Sequence, residues 1–238
     1  MKVKVCGMKY RENMLSVAKL YPDYMGFIFY KRSARHFSGP MPQLPDSVKK
    51  TGVFVNESLP RLLDTVREYE LRAVQLHGDE STSYCEELKS LVGPGIEIIK
   101  AFSMSSDFDF SLLDPYSGLC DYFLFDTKGK NRGGNGSLFD WDILQRYPLE
   151  KPFFLSGGIG LSAFTLLDEF LECPASKYCY AIDVNSKFES EPGLKRIEEL
   201  KVFFKQLENK NFLNNQSYVA SDKVKVSLLF DYTFKREI

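Results

Sequence analysis

The sequence has few of the residues that build metal centres, disulfide frameworks or surfaces for nucleic acid. It contains two histidines, and its five cysteines are scattered without the C-x-x-C pairs of zinc or redox sites, so we expect reduced thiols and no metal site. Thirty-one basic residues against thirty-two acidic ones give a net charge of -1. Such a chain has no long-range positive field for nucleic acid or an anionic membrane, and any bound anion must be held by local groups.

Long hydrophobic runs are also absent. No stretch approaches the roughly 20 apolar residues of a membrane span. The opening "MKVKVCGMKYRENM" meets charge within a few residues and lacks the apolar centre of a signal peptide. These features predict a cytoplasmic protein that does not contact a membrane.

Short apolar runs are frequent, and they alternate with longer amphipathic stretches. Runs this short, rich in Val, Ile and Phe, are typical of strands buried on both faces. The predicted strands are "VKVCG" (3–7), "MGFIF" (25–29), "TGVFVN" (51–56), "AVQLHG" (73–78), "IEIIKAFS" (96–103), "YFLFDTKG" (122–129), "FFLSGGIG" (153–160) and "YAIDVNS" (180–186).

Helices are predicted between these strands because apolar residues recur three and four apart. The segments are "ENMLSVAKLYP", "LPRLLDTVREYE", "STSYCEELKSLVG", "LSAFTLLDEFLEC" and a last helix at 194–210. Repeated strand and helix units imply parallel strands, and eight units predict a single α/β domain, a (β/α)8 TIM barrel, over residues 1–210. A doubly wound open sheet is disfavoured because no G-x-G-x-x-G follows the first strand. Residues 211–238 form a C-terminal extension of unknown role.

In such a barrel the segments after the strands form the active face. "SGGIG" (156–160) and "DVNS" (183–186) follow the last two strands, where barrels of this kind often bind phosphate through backbone N–H groups. The alternative is that the glycines only connect strand to helix. The two loops together favour phosphate binding.

Cys6 and Asp126 each end a hydrophobic run, and the first and sixth strands lie nearly opposite in an eight-stranded barrel. Partial desolvation suits a carboxyl group to hold and deliver a proton near neutrality, and a thiolate can accept one. The sequence thus predicts an acid and a base on opposite sides of a substrate. The alternatives are a cap or turn role for Asp126 and a small apolar role for Cys6.

Two more polar residues follow strands and suit ligand binding. Arg35 offers a planar fork for a carboxylate, although its basic neighbours are equally compatible with a solvated loop. His77 either orients a ligand or satisfies a backbone group. Neither histidine forms part of a pattern typical of a metal site.

The motifs taken in order resemble those of the phosphoribosylanthranilate isomerase family of tryptophan biosynthesis. The likeness spans about residues 3 to 207. It rests on "KVCG" (4–7), "GFIFYKRSAR" (26–35), "GVFVN" (52–56), "QLHG" (75–78), "LFDTKGKNRGGNGSLFDW" (124–141), "LSGGI" (155–159) and "AIDVNS" (181–186).

The resemblance implies an Amadori rearrangement of N-(5-phosphoribosyl)anthranilate without metal or cofactor, on a small phosphorylated substrate, by a monomer or homodimer. Asp126 would be the general acid and Cys6 the general base. Arg35 would bind the anthranilate carboxylate, and Asp183 would lie near the sugar hydroxyls. The phosphate would be held by the backbone of Gly157, Gly158, Asn185 and Ser186. The loop 129–136 is expected to close over the ligand.

Departures from the family pattern are few. Lys187 stands where many members have glycine, and "PGLKR" (192–196) lacks an aspartate common after this motif. Rival interpretations keep the barrel but assign an indole-glycerol-phosphate synthase, a pentose-phosphate epimerase or a ligand-binding module without catalysis. The synthase needs several lysines on its strands, and only Lys100 is predicted to lie inside one.

Overall fold

The structure, a computed structural model, describes residues 1–127 and 140–210. Eight parallel strands close into a barrel in chain order, and the first strand pairs with the last. The strands are β1 (Lys2–Val5), β2 (Tyr24–Ile28), β3 (Lys49–Phe54), β4 (Ala73–Leu76), β5 (Glu97–Met104), β6 (Tyr122–Thr127), β7 (Phe153–Leu155) and β8 (Cys179–Val184). The predicted fold is confirmed.

Helices surround the barrel, as the apolar periodicity predicts. They are α1 (Arg11–Ala18), α2 (Leu59–Tyr69), α3 (Thr82–Val92), α4 (Phe164–Leu171) and α5 (Ile197–Asn209). Apolar residues of these helices pack against the outer faces of the strands; Leu62 and Leu88, for example, are fully buried. Burial of this kind supplies most of the stability of the helices.

Some connections differ from a regular strand and helix repeat. Residues 29–48 connect β2 to β3 without an α-helix, since Pro40, Pro42 and Pro45 interrupt the hydrogen-bonding pattern. The β5 to β6 connection contains a 3-10 helix, Phe110–Tyr116, with Pro115 inside it. After β8 a short antiparallel pair, β9 (Glu189–Glu191) and β10 (Leu194–Lys195), precedes α5. The last predicted helix therefore begins later than expected.

The barrel interior is filled in layers by side chains from alternate positions of the strands. One interior layer below the cleft is aromatic and aliphatic, and it consists of Tyr24, Ala73, Ile99, Leu124, Phe154 and Ala181. Polar side chains occupy the layers above, toward the carboxyl ends. This apolar layer separates the polar side chains of the cleft from the amino end of the barrel.

The prediction that Lys100 is the one lysine inside a strand is wrong. Lys4 lies within β1 and is completely buried, facing the interior beside Asp183. Lys100 lies in β5 but points outward, where its ammonium group binds Glu80 at 3.0 Å. Strand alternation explains both orientations, because residues two apart share a face.

Candidate active site

A cleft opens at the carboxyl ends of the barrel strands. It encloses an empty volume of about 760 Å³, part of which is open solvent. All the site residues predicted from the sequence line it: Cys6, Arg35, His77, Asp126, Gly157, Gly158, Asp183, Asn185 and Ser186. Segments far apart in the chain meet there because parallel strands present their carboxyl ends on one face.

Cys6 directly follows β1 and is almost fully buried, at 4% exposure. Its N–H donates to the carbonyl of Val184, which extends the pairing of β1 with β8 by one residue. Its sulfur lies against Gly26, where a β-carbon would approach Sγ to 2.7 Å. Burial raises the pKa of the Cys6 thiol, and the positive charge of Lys4 partly offsets that increase.

A buried ion pair lies beside this thiol. Lys4 Nζ donates to Asp183 Oδ1 at 2.9 Å, and Ser156 Oγ donates to Asp183 Oδ2 at 3.2 Å. Burial opposes the charged form of Lys4, but the carboxylate of Asp183 and the sulfur of Cys6 outweigh it and raise the pKa of this lysine. Burial also raises the pKa of Asp183, against the charge of Lys4. A charged lysine side chain is thus fixed next to the thiol.

Asp126 is positioned by a backbone group and a histidine. Its Oδ1 accepts the N–H of Thr127 at 2.9 Å, and its Oδ2 lies 3.4 Å from Nε2 of His77. The other ring nitrogen, Nδ1, lies 2.8 Å from Nε2 of Gln75. With that amide group donating to Nδ1, the proton of a neutral His77 is on Nε2 and faces the carboxyl group.

These contacts bear on the alternatives for both residues. His77 contacts two side chains, so it does not serve only a backbone group. Asp126 does bind the next backbone N–H, as a turn aspartate would, but its second oxygen faces the cleft residue His77. One carboxyl oxygen of Asp126 therefore binds the neighbouring backbone N–H, and the other faces the cleft.

Arg35 is not a freely solvated side chain. Its Nε lies 2.8 Å and 3.0 Å from the two carboxylate oxygens of Glu189, and its Nη2 lies 2.7 Å from Oε2. The side chain of Arg35 is 15% exposed. A bidentate pair of this kind fixes the plane of the guanidinium group.

The loops after β7 and β8 form the far wall of the cleft. Gly157 and Gly158 have φ of 91° and 71°, in the left-handed region that favours glycine. A β-carbon at Gly157 would lie 2.2 Å from Oγ1 of Thr127, so only glycine fits. Lys187 also lines the cleft, and its aliphatic part covers Gly160.

Comparison with known proteins agrees with this geometry. The family description "PRAI: N-(5'phosphoribosyl)anthranilate (PRA) isomerase" matches residues 3–206. The N-(5'-phosphoribosyl)anthranilate isomerase of Phocaeicola vulgatus is 40% identical over 208 residues, covering 87% of this chain and 98% of the relative. The chain belongs to the phosphoribosylanthranilate isomerase family.

Solved structures of the family have the same architecture. The crystal structure of phosphoribosyl anthranilate isomerase from Thermotoga maritima superposes with a TM-score of 0.74 at 31% identity, covering 88% of this chain and 99% of that one. Another phosphoribosyl anthranilate isomerase, at 29% identity and a TM-score of 0.71 over 88% of this chain and 99% of that one, was solved in complex with reduced 1-(o-carboxyphenylamino)-1-deoxyribulose 5-phosphate. The likeness thus covers the whole barrel.

Sequence reasoning missed several residues of this family member's cleft region. Lys4 and Gln75 each lie two positions before a predicted site residue, Cys6 or His77, within the same predicted strand, so strand alternation was a usable signal for both. Glu189 and Lys195 had no comparable signal. Glu189 contacts Arg35 from a remote segment of the chain, and Lys195 reaches Asn185 only through the short β9 and β10 pair.

Within residues 1–127 and 140–210, no group of three or more His, Cys, Asp or Glu side chains is arranged to hold a metal ion. No helix of these residues has the length and apolarity needed to cross a membrane. The predicted closing loop at 129–136 and the extension at 211–238 lie outside the described residues.

Proposed function

We propose that this chain catalyses the Amadori rearrangement of N-(5'-phosphoribosyl)anthranilate to 1-(2-carboxyphenylamino)-1-deoxyribulose 5-phosphate in tryptophan biosynthesis. The observation that carries the proposal is one cleft lined by both Cys6 and Asp126, together with the glycine turn after β7. The compound bound in the related crystal structure is the reduced form of this product. It carries a carboxylate and a phosphate, the two anionic groups that the cleft is proposed to bind.

Asp126 acts as the general acid in this mechanism. Its carboxyl proton passes to the ring oxygen of the ribose, the C1–O bond breaks, and the anthranilate nitrogen supplies the electrons that form a Schiff base. The N–H of Thr127 and the Nε2 side of His77 face the carboxylate left behind and stabilise it.

Cys6 acts as the general base. The thiolate removes the proton from C2, and the electrons of the C–H bond neutralise the Schiff base to give an enol-amine. Transfer of the enol proton to C1 gives the ketone, so the reaction has no net gain or loss of protons. The ammonium group of Lys4 favours the thiolate during the cycle, because its charge lowers the pKa of the buried thiol.

The substrate's two anionic ends bind to separate groups of the cleft. Arg35 binds the anthranilate carboxylate, and Asp183 lies near the sugar hydroxyls. The backbone of Gly157, Gly158, Asn185 and Ser186 binds the phosphate, and the exposed ammonium group of Lys187 adds a positive charge at that end. The rival synthase needs several lysines on its strands, but Lys4 is held in a buried ion pair with Asp183 and Lys100 is paired with Glu80 on the outer face of β5.

A turnover assay tests the proposal. Purified protein should convert the fluorescent phosphoribosylanthranilate with loss of its fluorescence, and Asp126→Asn should lower kcat by about 10²- to 10⁴-fold with little change in KM. Absence of turnover in the wild type would reject the isomerase activity. A loss below about tenfold in the variant would reject the acid role of Asp126.

The assembly and the cellular site of this activity stay predictions. We propose a monomer or homodimer that works in the cytoplasm on a small phosphorylated substrate. Sedimentation of the full chain measures its oligomeric state directly.

A further inference from the structure

Glu189 is a buried carboxylate at the edge of the cleft, and the proposed mechanism does not use it. It begins β9, and its side chain is 3% exposed. A buried charge is costly unless it is paired and hydrogen-bonded. The partners of Glu189 therefore indicate what its charge does.

The first partner is Arg35, which Glu189 contacts along one edge. Glu189 faces Nε and Nη2 of the guanidinium group, at distances between 2.7 and 3.0 Å. A guanidinium has five N–H donors, and this contact occupies the Nε donor and one on Nη2. The donors at the other end, on Nη1 and Nη2, keep the fork geometry that matches a second carboxylate.

The second partner is Lys195 on β10, whose side chain is fully buried. Its Nζ lies 2.6 Å from Glu189 Oε1, 2.7 Å from Asn185 Oδ1 and 3.3 Å from the carbonyl of Asn185. These contacts match the three donors of an ammonium group. Asn185 lies in the loop after β8 and lines the cleft. Glu189 and Lys195 therefore connect Arg35 to that loop.

The charges of Arg35, Glu189 and Lys195 do not cancel. One carboxylate lies between two cations, which leaves one positive charge in excess beside the cleft. Burial raises the pKa of Glu189, but the hydrogen bond from Arg35 and the charge of Lys195 outweigh it, and the net pKa is lowered. The carboxylate thus stays charged between the two cations at neutral pH.

We propose that Glu189 is a positioning residue, and that it acts with Lys195 to set the distance between the carboxylate-binding Arg35 and the phosphate-binding loop at Asn185. This inference rests on the proposed function of the cleft. This bridge, formed by Glu189 and Lys195, selects substrates whose carboxylate and phosphate are as far apart as Arg35 and the phosphate-binding loop. A substrate that lacks the carboxylate gains nothing from it.

Glu189→Gln tests the bridge in the full chain, because it removes the charge with little change of shape. We expect KM for phosphoribosylanthranilate to rise by about 10- to 100-fold, as for a lost charge-assisted bidentate contact, with kcat changed by less than about threefold. The inhibition constant of inorganic phosphate should also rise, because Lys195, which binds Asn185, loses its carboxylate partner. Arg35→Ala should raise KM and leave that inhibition constant unchanged.

Glu191→Gln is the matched control. This residue lies on the same short strand, is exposed, and contacts Tyr10. The KM of this variant and its inhibition constant for inorganic phosphate should equal those of the wild type.

A double variant separates positioning from general stability. If Glu189 acts partly through Arg35, the Glu189→Gln change should raise KM less in an Arg35→Ala background than in the wild type, because only the effect through Lys195 and Asn185 remains. Full additivity, or an unchanged KM in Glu189→Gln alone, overturns the proposal. Should the glutamine variant not fold, Glu189→Asp keeps the charge but withdraws it by one methylene, and the same KM increase is expected.

The proposed function is tested independently by the wild type. If the wild type has no turnover, the proposed function is rejected. The bridge can still be tested by the effect of inorganic phosphate on the Tm. Phosphate should then raise the Tm of the wild type more than that of Glu189→Gln. Equal shifts would overturn the bridge.

Discussion

Cys6→Ser separates the two interpretations of this residue, general base and small buried side chain. Serine is slightly smaller, so it fits against Gly26, where Sγ already limits the space. An unpaired buried hydroxyl costs about 1–3 kcal/mol, but Lys4 lies beside this position as a hydrogen-bonding partner. We therefore expect the variant to fold with a stability loss at the low end of that range.

The catalytic effect should be much larger. A general base contributes about 10²- to 10⁴-fold, which corresponds to roughly 3–5 kcal/mol of the activation barrier, and a hydroxyl group cannot replace a thiolate in that role. Arg35 and the glycine turn are untouched, so KM should change by less than about threefold. Stopped-flow fluorescence with phosphoribosylanthranilate gives both constants.

The pH profile adds a second measurement. Burial raises the pKa of the Cys6 thiol above its usual value of about 8.5, so titration of this thiol should change the slope of log kcat/KM against pH in the range above that value. This change of slope should be absent in Cys6→Ser. Cys173→Ser, at a buried cysteine that follows α4, is the control and should leave kcat unchanged. If kcat of Cys6→Ser stays within threefold of the wild type, the base role is refuted.

Three further predictions concern the phosphate end and the ion pairs. Gly157→Ala should destabilise the fold by about 1–3 kcal/mol in urea denaturation, because of its left-handed φ and the collision with Thr127, whereas Gly95→Ala, in open space, should not. Lys187→Met should weaken inorganic phosphate binding by about two- to fivefold, measured by competitive inhibition at low salt, and an unchanged constant would show that this exposed lysine does not contact the anion. The pKa of Glu189 is lower in the folded than in the unfolded chain. Its stabilising contribution is therefore present above the unfolded pKa of about 4.3 and is lost as pH falls through the folded pKa. Acid unfolding curves should show the stability difference between wild type and Glu189→Gln shrinking over that range.

The barrel and its two central residues were accessible from sequence for the same physical reason. Strands buried on both faces are continuous apolar runs, and such runs end visibly where a polar group follows, as at Cys6 and Asp126. The order of the runs then places these ends on one face. No contact between distant residues had to be known.

The bridge at Glu189 was not accessible in this way. It depends on a pairing between residues 154 positions apart and on the short β9 and β10 pair, whose residues 194 and 195 were predicted to be helical. Local periodicity contains no information about either. The orientation of Lys4, by contrast, could be predicted, because Lys4 lies two residues before Cys6 and residues two apart share a strand face. Its burial inside the barrel follows from that orientation.

The Lys4 and Asp183 pair also has a consequence for how the chain folds. The two residues are 179 positions apart, on the first and last strands. A growing or truncated chain that ends before β8 has no counter-charge for Lys4, so that ammonium group keeps its hydration and holds the first strand out of a dry interior. Closure of the barrel is thereby coupled to completion of its eighth strand.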